Sequence, residues 1–268
     1  MLYLVATPIG TLSDITLRAV ETLKKVDAIL CEDSRRSAIL LKHYEIEKPL
    51  YPHHKFNEKK NLEKVLERLR NGEEIALISD AGTPCINDPG AVLVQACIAE
   101  GIPFTAIPGP CSPIVALLLS GFDTARFQCI GFLPKKSEET LRSALTYRGT
   151  TIAFESPERL IDTLEDLTRL DPERKIAVAR EMTKTYEECI RGTAHEVLAH
   201  YRQKGVKGEV CLLIGEGKFP TEEYPLDELI ELLQESHGLS LKEAIKLAAK
   251  LLKQPKSDIY RAVHANEN

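Results

Sequence analysis

The chain alternates short apolar segments with segments of helical periodicity, and this alternation limits its possible folds more than any other feature. In the first half, four apolar segments of strand length occupy residues 2–6, 28–31, 75–79 and 104–107. Helical patterns separate and follow them at residues 15–25, 34–43, 58–70 and 90–100. Strands that are apolar along their whole length are buried on both faces, so the pattern predicts a parallel sheet covered by helices.

The second half repeats this alternation with one difference. Strand-like segments lie at residues 127–132, 151–154, 175–179 and 210–214, and helical segments lie at residues 160–170 and 194–203. A further strand near residues 187–191 follows a turn-like pair, Thr185 and Tyr186, which indicates a hairpin and therefore a mixed sheet. We therefore predict a two-lobed α/β fold, with one lobe at residues 1–115 and the other at residues 116–217.

The composition changes after Ile214. Residues 215–225 are rich in Gly, Pro and Glu and are typical of a linker, and only helical patterns follow, so residues 226–268 are expected to form a small helical module. Ser240 and Glu243 form a capping box for a helix over residues 241–252, and Ser257 could cap a last helix.

Charge and cysteine content restrict the setting in which the protein works. The net charge is −5, so any contact with nucleic acid must come from local basic patches. Seven cysteines without a C-x-x-C pair indicate reduced thiols and a cytoplasmic location. The sequence shows neither a signal peptide nor an apolar segment of membrane-spanning length. His195 and His200 are one residue too far apart for a zinc-binding helix, so no metal is expected.

Three loops that follow apolar strands are rich in Gly and Pro, at residues 5–10, 79–90 and 107–113. Glycine lets a backbone approach a ligand closely, and the carboxyl ends of parallel strands are where α/β proteins bind ligands. The alternative is that each loop is only a tight turn, but three of them together favour a ligand site.

A charged cluster, Glu32, Asp33 and Arg35, ends the second apolar strand and is expected at the same edge of the sheet. Packing explains such charges poorly, so we assign the three residues to substrate binding or to accepting a proton. The alternative is a structural carboxylate–arginine pair. The polar loop at residues 53–58 carries His54 and Lys55, which could contact RNA, although a plain exposed loop would look the same.

Basic residues lie along one side of the helix predicted at residues 241–252. Lys242, Lys246 and Lys250 recur at helical spacing opposite an apolar face, which fits contact with RNA phosphates. A solvated amphipathic face is the alternative interpretation.

Seven short motifs occur in a characteristic order along the chain. They are Thr7-Pro-Ile-Gly, Glu32-Asp-Ser-Arg, Ser79-Asp-Ala-Gly-Thr-Pro with Asp88-Pro-Gly, Ile107-Pro-Gly-Pro, Gly131-Phe-Leu-Pro, Glu155-Ser-Pro and Ala179-Arg-Glu-Met-Thr. The series resembles the small-subunit (16S) ribosomal RNA methyltransferase branch of the tetrapyrrole-methylase superfamily, which methylates the 2′-hydroxyl of a decoding-centre cytidine. Thr11 and Ser34 depart mildly from that pattern, in which Asn and Thr are common.

The resemblance implies a homodimeric enzyme that binds S-adenosylmethionine between two lobes and acts on ribosomal RNA or the small ribosomal subunit. It assigns cofactor binding to ten residues: Pro8, Asp80, Gly82, Thr83, Ile86, Ser112, Phe154, Ser156, Met182 and Gly208. Two alternatives stay open, because a fold does not fix a function. One is a methyltransferase acting on a tetrapyrrole or another small molecule, and the other is a non-catalytic module that senses the cofactor or binds RNA.

Overall fold

A computed structural model of the protein describes residues 1–217, 226–237, 239–252 and 254–265. Two compact units divide the chain, Met1–Glu216 and Gly217–Asn268. Within the described residues, no helix has both the length and the apolar character that crossing a bilayer requires.

The first unit begins with a five-stranded sheet in which every strand pairing is parallel. Its strands are β1 (Leu2–Val5), β2 (Ala28–Cys31), β3 (Leu50–Pro52), β4 (Ile75–Leu77) and β5 (Phe104–Ile107), in the order β3-β2-β4-β1-β5. The connecting helices are α1 (Leu17–Lys25), α2 (Ser34–His43), α3 (Glu58–Arg70) and α4 (Ala91–Glu100). The carboxyl ends of these strands share one edge, which brings their loops together.

Apolar clusters form on the sheet with the helices that connect its strands. Residues of α1 and α2, including Leu23 and Leu40, pack in one cluster with Ile29 of β2. Leu66 of α3 and Leu93 of α4 pack in another. The predicted parallel sheet covered by helices is thus confirmed. The sheet places the loops that follow its strands at one edge.

Helix α3 begins without the side-chain cap that an asparagine commonly provides. Asn57 precedes the helix but its side chain makes no capping hydrogen bond. Its amide oxygen accepts from the backbone of His54 at 2.8 Å, and its amide nitrogen donates to the carbonyl of Pro52 at 3.0 Å. Asn57 therefore holds the loop ahead of the helix and leaves the helix end uncapped.

A second five-stranded sheet mixes parallel and antiparallel pairs. Its strands are β6 (Phe127–Phe132), β7 (Thr150–Glu155), β8 (Lys175–Arg180), β9 (Glu188–Thr193) and β10 (Val210–Ile214), in the order β6-β7-β10-β8-β9. Only β6 and β7 run parallel, and β8 and β9 form the predicted hairpin. Helices α7 (Leu160–Leu170) and α8 (Ala194–Lys204) pack on this sheet around Leu164 and Leu198.

Three elements of the first unit were not predicted from the sequence: β3, α5 (Ser112–Ser120) and α6 (Glu138–Thr146). Helix α5 lies on the second sheet, where Ala116 and Leu117 are buried in one cluster with Ile152 of β7 and Leu213 of β10. The boundary predicted at residue 115 falls inside this helix. Its sequence is apolar all round, so it carries no helical periodicity that the sequence analysis could have used.

The second unit consists of helices in its described part. They are α9 (Leu226–His237), α10 (Leu241–Leu251) and α11 (Lys256–Ala265), and they bury a small core around Ile230, Ala244, Ile245 and Ile259. The predicted capping box of Ser240 and Glu243 opens α10. Helix α11 begins one residue before Ser257, which was wrongly expected to cap it. Residues 218–225 of the predicted linker lie outside the described residues.

Candidate active site

Hydrogen bonds hold the loops after β1, β4 and β5 together. The amide of Thr7 donates to the carbonyl of Gly82 at 2.9 Å, and the amide of Gly82 donates back to Thr7 at 3.0 Å. The hydroxyl of Thr83 donates to the carbonyl of Pro110 at 2.9 Å. Gly82 has a φ of +80°, which only glycine adopts without strain. The three Gly- and Pro-rich loops therefore form one connected rim.

Loops of the second sheet approach this rim closely. A Cβ atom on Gly10 would lie 2.9 Å from the carbonyl oxygen of Met182. The amide of Thr11 donates to the hydroxyl of Thr183 at 3.1 Å, and the Thr11 hydroxyl donates to the Thr183 carbonyl. The loops that follow β1 and β8 are thereby joined, and a cleft forms beside the junction.

A carboxylate links the loop after β8 to the loop before β10. Oε1 of Glu181 accepts hydrogen bonds from the amide of Glu209 at 2.9 Å and from Nζ of Lys184 at 3.0 Å. A Cβ on Gly208 would collide with that same carboxylate, so any larger residue would require the Glu181 side chain to move. Gly208 also has a φ of +87°.

The cleft has a volume of about 470 Å³ and is lined by residues of both sheets and their loops. Seven of the ten residues assigned to the cofactor line it: Asp80, Ile86, Ser112, Phe154, Ser156, Met182 and Gly208. Pro8 lines an adjoining cavity of about 440 Å³, which shares Ile9, Arg36 and Asp80 with the cleft. Gly82 and Thr83 line neither cavity, and their hydrogen bonds shape the loop instead.

Part of the cleft wall is apolar and aromatic. The rings of Phe132 and Phe154 lie 5.3 Å apart between centroids, and Phe132 is 62% exposed although it is a large apolar side chain. Ile86 is also exposed, whereas Met182 is buried. Flat apolar groups of a ligand can pack against such a wall.

Five carboxylates line the cleft, and two of them, Glu155 and Glu209, pair with Arg159 and Lys184. The other three, Glu32, Asp80 and Asp88, belong to the loops after β2 and β4. Burial, together with the charge of Glu32, raises the pKa of Asp88 to about 6. Burial, followed by the charge of Asp80, also raises the pKa of Glu32. Because each negative charge disfavours ionisation of the neighbouring carboxyl groups, a cationic ligand bound between them would be stabilised.

The Arg36 guanidinium supplies positive charge beside these acids, with its NH1 3.6 Å from Oδ2 of Asp80. Arg36 lines both cavities, whereas Asp33 and Arg35 line neither. Sequence analysis selected Arg35 and missed Arg36, because a run of two arginines does not show which one faces the sheet edge. The start of α2 at Ser34 supplies that information.

Asp33 and Arg35 form a local pair at the start of α2. The Asp33 side chain caps the helix by accepting from the amide of Arg35 at 2.9 Å, and it accepts two further hydrogen bonds from the Arg35 guanidinium. These hydrogen bonds hold the pKa of Asp33 at about 2. The geometry agrees with the structural alternative for this pair, so their assignment to the reaction stays a prediction.

Two of the residues predicted to contact RNA, His54 and Lys55, line neither cavity. Lys55 is exposed in the loop after β3, and His54 is partly buried there beside Phe56, which is 97% exposed. Lys242 and Lys246 are exposed on α10, and the side chain of Lys250 lies outside those the structure describes. Among the described residues, no three His, Cys, Asp or Glu side chains are arranged to hold a metal ion.

Comparison with known proteins places this geometry in a family. The profile of the Tetrapyrrole (Corrin/Porphyrin) Methylases matches residues 1–198. A crystal structure of a cobalt precorrin-4 methyltransferase shares the fold at 19% identity, with a TM-score of 0.61 over 80% of this chain and 94% of that chain. A uroporphyrin-III C-methyl transferase from Thermus thermophilus, complexed with S-adenyl homocysteine, has a TM-score of 0.56 at 19% identity, over 80% of this chain and 97% of its own.

Relatives with much higher identity cover nearly the whole chain. Ribosomal RNA small subunit methyltransferase I of Halalkalibacterium halodurans is 43% identical over 98% of this chain and 94% of its own length. The protein of the same name from Bacillus subtilis is 41% identical over 100% of this chain and 95% of its own. With the two sheets, the joined loops and the cleft between them, these matches show that the chain belongs to the tetrapyrrole methylase family, in the branch that contains the proteins named ribosomal RNA small subunit methyltransferase I.

Proposed function

We propose that this protein transfers a methyl group from S-adenosylmethionine to the ribose 2′-hydroxyl of a decoding-centre cytidine in small-subunit (16S) ribosomal RNA. The observation that carries the proposal is the cleft, which combines carboxylates with an aromatic wall in a chain whose near full-length relatives are named for that RNA.

The cleft fits the chemistry of this cofactor. S-adenosylmethionine carries a sulfonium, an ammonium and a flat adenine, and it supplies a methyl group on a good leaving group. Asp80 and Asp88 offer negative charge for the cationic groups, and Ile86, Phe154 and Met182 offer an apolar surface for the adenine. The cation would lower the raised pKa of Asp88, so binding and ionisation support each other.

Positioning dominates in such a transfer, and the chain's own residues supply it. The joined loops fix the cleft wall, so that an acceptor hydroxyl could be held close to the cofactor. We assign the hydroxyl proton to Glu32, which lines the cleft and whose pKa is raised by burial and by the charge of Asp80. Arg36 lines both cavities and could orient a phosphate or the ribose.

Substrate contacts beyond the cleft belong to the same proposal. Lys55 and His54, in the loop after β3, and the exposed Lys242 and Lys246 of α10 would contact RNA, with Lys250 completing the series in the sequence. The cytoplasm fits this substrate and the seven free cysteines. We also propose a homodimer, as the family resemblance implies, which sedimentation of the purified protein would test.

One experiment separates this function from its alternatives. The protein would be incubated with methyl-labelled S-adenosylmethionine and either small ribosomal subunits from cells lacking this enzyme or a uroporphyrinogen. We expect label in the RNA, and mass spectrometry of the digested nucleosides should find 2′-O-methylcytidine. Label only in the tetrapyrrole would indicate the small-molecule alternative, and cofactor binding without transfer would indicate a non-catalytic module.

Two variants refine the test. Glu32→Gln should retain cofactor binding and lower the transfer rate by about 10- to 100-fold, within the range of general-base contributions. Glu47→Gln, an exposed residue outside the cavities, is the matched control and should transfer at the wild-type rate.

A further inference from the structure

The loop between β3 and α3, at residues 53–57, is attached to two loops of the active-site cleft. The amide of His53 donates to the carbonyl of Cys31, the last residue of β2, at 2.7 Å. At the other end, Oε2 of Glu58 accepts a hydrogen bond from the amide of Gly90 at 3.1 Å. The β3–α3 loop therefore lies against the loops after β2 and β4, which supply three carboxylates to the cleft.

Side chains of the β3–α3 loop are close enough to the cleft to act on its carboxylates. Burial and the charge of Asp80 raise the pKa of Glu32, whereas the charges of Lys55 and His54 lower it. Burial and the charge of Glu32 raise the pKa of Asp88, and Lys55 again acts in the opposite direction. Since Lys55 and His54 line neither cavity, this loop lies beside the cleft and not inside it.

Hydrogen bonds fix the backbone on both sides of Phe56. The carbonyl of His54 accepts from the amides of Asn57 and Glu58, each at 2.9 Å, and the amide of His54 donates to Oδ1 of Asn57 at 2.8 Å. Nδ2 of Asn57 donates in turn to the carbonyl of Pro52 at 3.0 Å. The ring of Phe56 is thus held by an ordered loop, which lowers the entropy that binding a ligand would cost.

The ring of Phe56 is 97% exposed, and its described aromatic neighbour is the ring of His54, at 6.1 Å between centroids. A single exposed apolar side chain is ordinary on a protein surface. Phe56 differs in its position, because it follows the exposed Lys55 on an ordered loop beside the cleft. An exposed ring next to a cationic side chain is a common arrangement for binding single-stranded RNA, in which bases stack on rings and cations contact phosphates.

We propose that the ring of Phe56 stacks on an unpaired base of the RNA strand whose ribose enters the cleft, while Lys55 contacts a phosphate of that strand. The inference rests on the proposed function, since it requires an RNA substrate. Every base has a flat face, so Phe56 contributes affinity and position, and the choice of nucleotide is made elsewhere.

The test measures the affinity for unmethylated small ribosomal subunits at several salt concentrations. Phe56→Ala should bind about 5- to 100-fold more weakly, the range found for loss of one stacked base. The loss should be the same at every salt concentration, because stacking releases no counterions, whereas Lys55→Gln should lower the log–log salt slope by about 0.7. Cofactor affinity should not change in either variant.

The matched control is Ile98→Ala, which removes an exposed apolar side chain near the end of α4, a helix that leads into β5 at the other edge of the sheet. It should bind subunits as wild type does. The melting temperature of Phe56→Ala should also match wild type, since the side chain is almost fully exposed. Wild-type subunit affinity in Phe56→Ala would overturn the proposal.

A series of substitutions at Phe56 separates stacking from a simple apolar contact. Phe56→Tyr and Phe56→Trp should bind within about threefold of wild type because they keep a flat ring, and Phe56→Leu should bind as weakly as Phe56→Ala. Wild-type binding by Phe56→Leu would overturn stacking and indicate contact with a protein of the subunit. If wild type itself does not methylate subunits, the proposed function fails first, whereas normal methylation with indifferent variants defeats the role of Phe56 alone.

Discussion

The backbone amide of Asp33 donates a 2.9 Å hydrogen bond to Oδ1 of Asp80, which joins the loop after β2 to the loop after β4. The same Asp33 caps α2 with its side chain, and the other oxygen of Asp80 faces Arg36. Asp80 therefore has two roles, because it fixes the start of α2 and orients an arginine at the cleft. Any substitution at Asp80 would disturb both.

Arg35 and Arg36 are neighbours in the sequence but lie differently relative to the two cavities. Their substitutions should therefore affect the rate of methyl transfer differently. Arg36→Ala should lower the rate of methyl transfer about tenfold or more, because Arg36 lines both cavities and a charge-assisted contact is lost. Arg35→Ala should stay within about twofold, because its partner Asp33 lies outside the cavities and exposed ion pairs contribute little. Single-turnover rates on small ribosomal subunits provide the measurement. The reverse ranking would restore Arg35 to the reaction.

Asp88 should make stability depend on pH in an unusual direction. Its pKa in the folded protein is about 6 and its ordinary value is 3.8, so its contribution to stability is present below about pH 4 and is lost as the pH rises through 6. Asp88→Asn should therefore raise the melting temperature near neutral pH, and the difference from wild type should vanish at about pH 4. Thermal melts across that range test this, with Asp123→Asn, at an exposed residue, as the control. A constant difference at every pH would count against the raised pKa.

The same carboxyl group predicts proton release when the cofactor binds. A cation in the cleft would lower the pKa of Asp88, so binding at about pH 6 should release a fraction of a proton. Calorimetry in two buffers with different ionisation enthalpies would detect it. Asp88→Asn should abolish the buffer dependence, and its persistence in that variant would assign the proton to another group.

Much of the fold could be predicted because its strands are buried on both faces. Strand β2 is buried along its length, and its four apolar residues are recognisable without any structure. Helix α5 shows the opposite case. Its apolar sequence is compatible with a strand, a helix or a loop, and only its packing against β7, β8 and β10 decides for a helix.

In the candidate site, too, some residues could be predicted from the sequence and others could not. Gly208 could be assigned only through family resemblance, and its physical reason, the proximity of the Glu181 carboxylate, exists only in three dimensions. Arg36 was missed because its distance to Asp80 depends on how the loops after β2 and β4 meet.

Gly208 and Gly205 provide a matched pair for testing the loop before β10. Both have positive φ, so alanine strains the backbone at either site, and at Gly205 the φ of +69° with a ψ of 176° lies in a region that is essentially restricted to glycine. Only at Gly208 would the new Cβ also meet the Glu181 carboxylate, since nothing lies within 4 Å at Gly205. Gly208→Ala should weaken cofactor binding by about tenfold or more, which corresponds to about 1.4 kcal/mol of binding free energy. Gly205→Ala should change cofactor binding little. Similar affinities for the two variants in calorimetric titration would contradict a role for the Gly208 contact.

The helical unit gives the last prediction, because its exposed lysines are placed as a phosphate-binding surface requires. Lys242 and Lys246 are exposed one helical turn apart on α10, while Ala244, Ile245 and Ala248 of the same helix are buried in the core of this unit. Replacing both lysines by Gln should preserve the helix, since Gln and Lys have similar helix propensities and the capping box of Ser240 and Glu243 is untouched.

Binding to small ribosomal subunits should weaken, and the log–log salt slope should fall by somewhat under one for each phosphate contact that is lost. Cofactor affinity should stay constant, because every described residue that lines the cleft belongs to the first unit. The Lys24→Gln/Lys64→Gln variant, which removes the same charge from exposed residues of α1 and α3, serves as the control. Should the lysine variant of α10 bind as wild type does at every salt concentration, the exposed lysines form only a solvated face, and RNA recognition must come from the first unit.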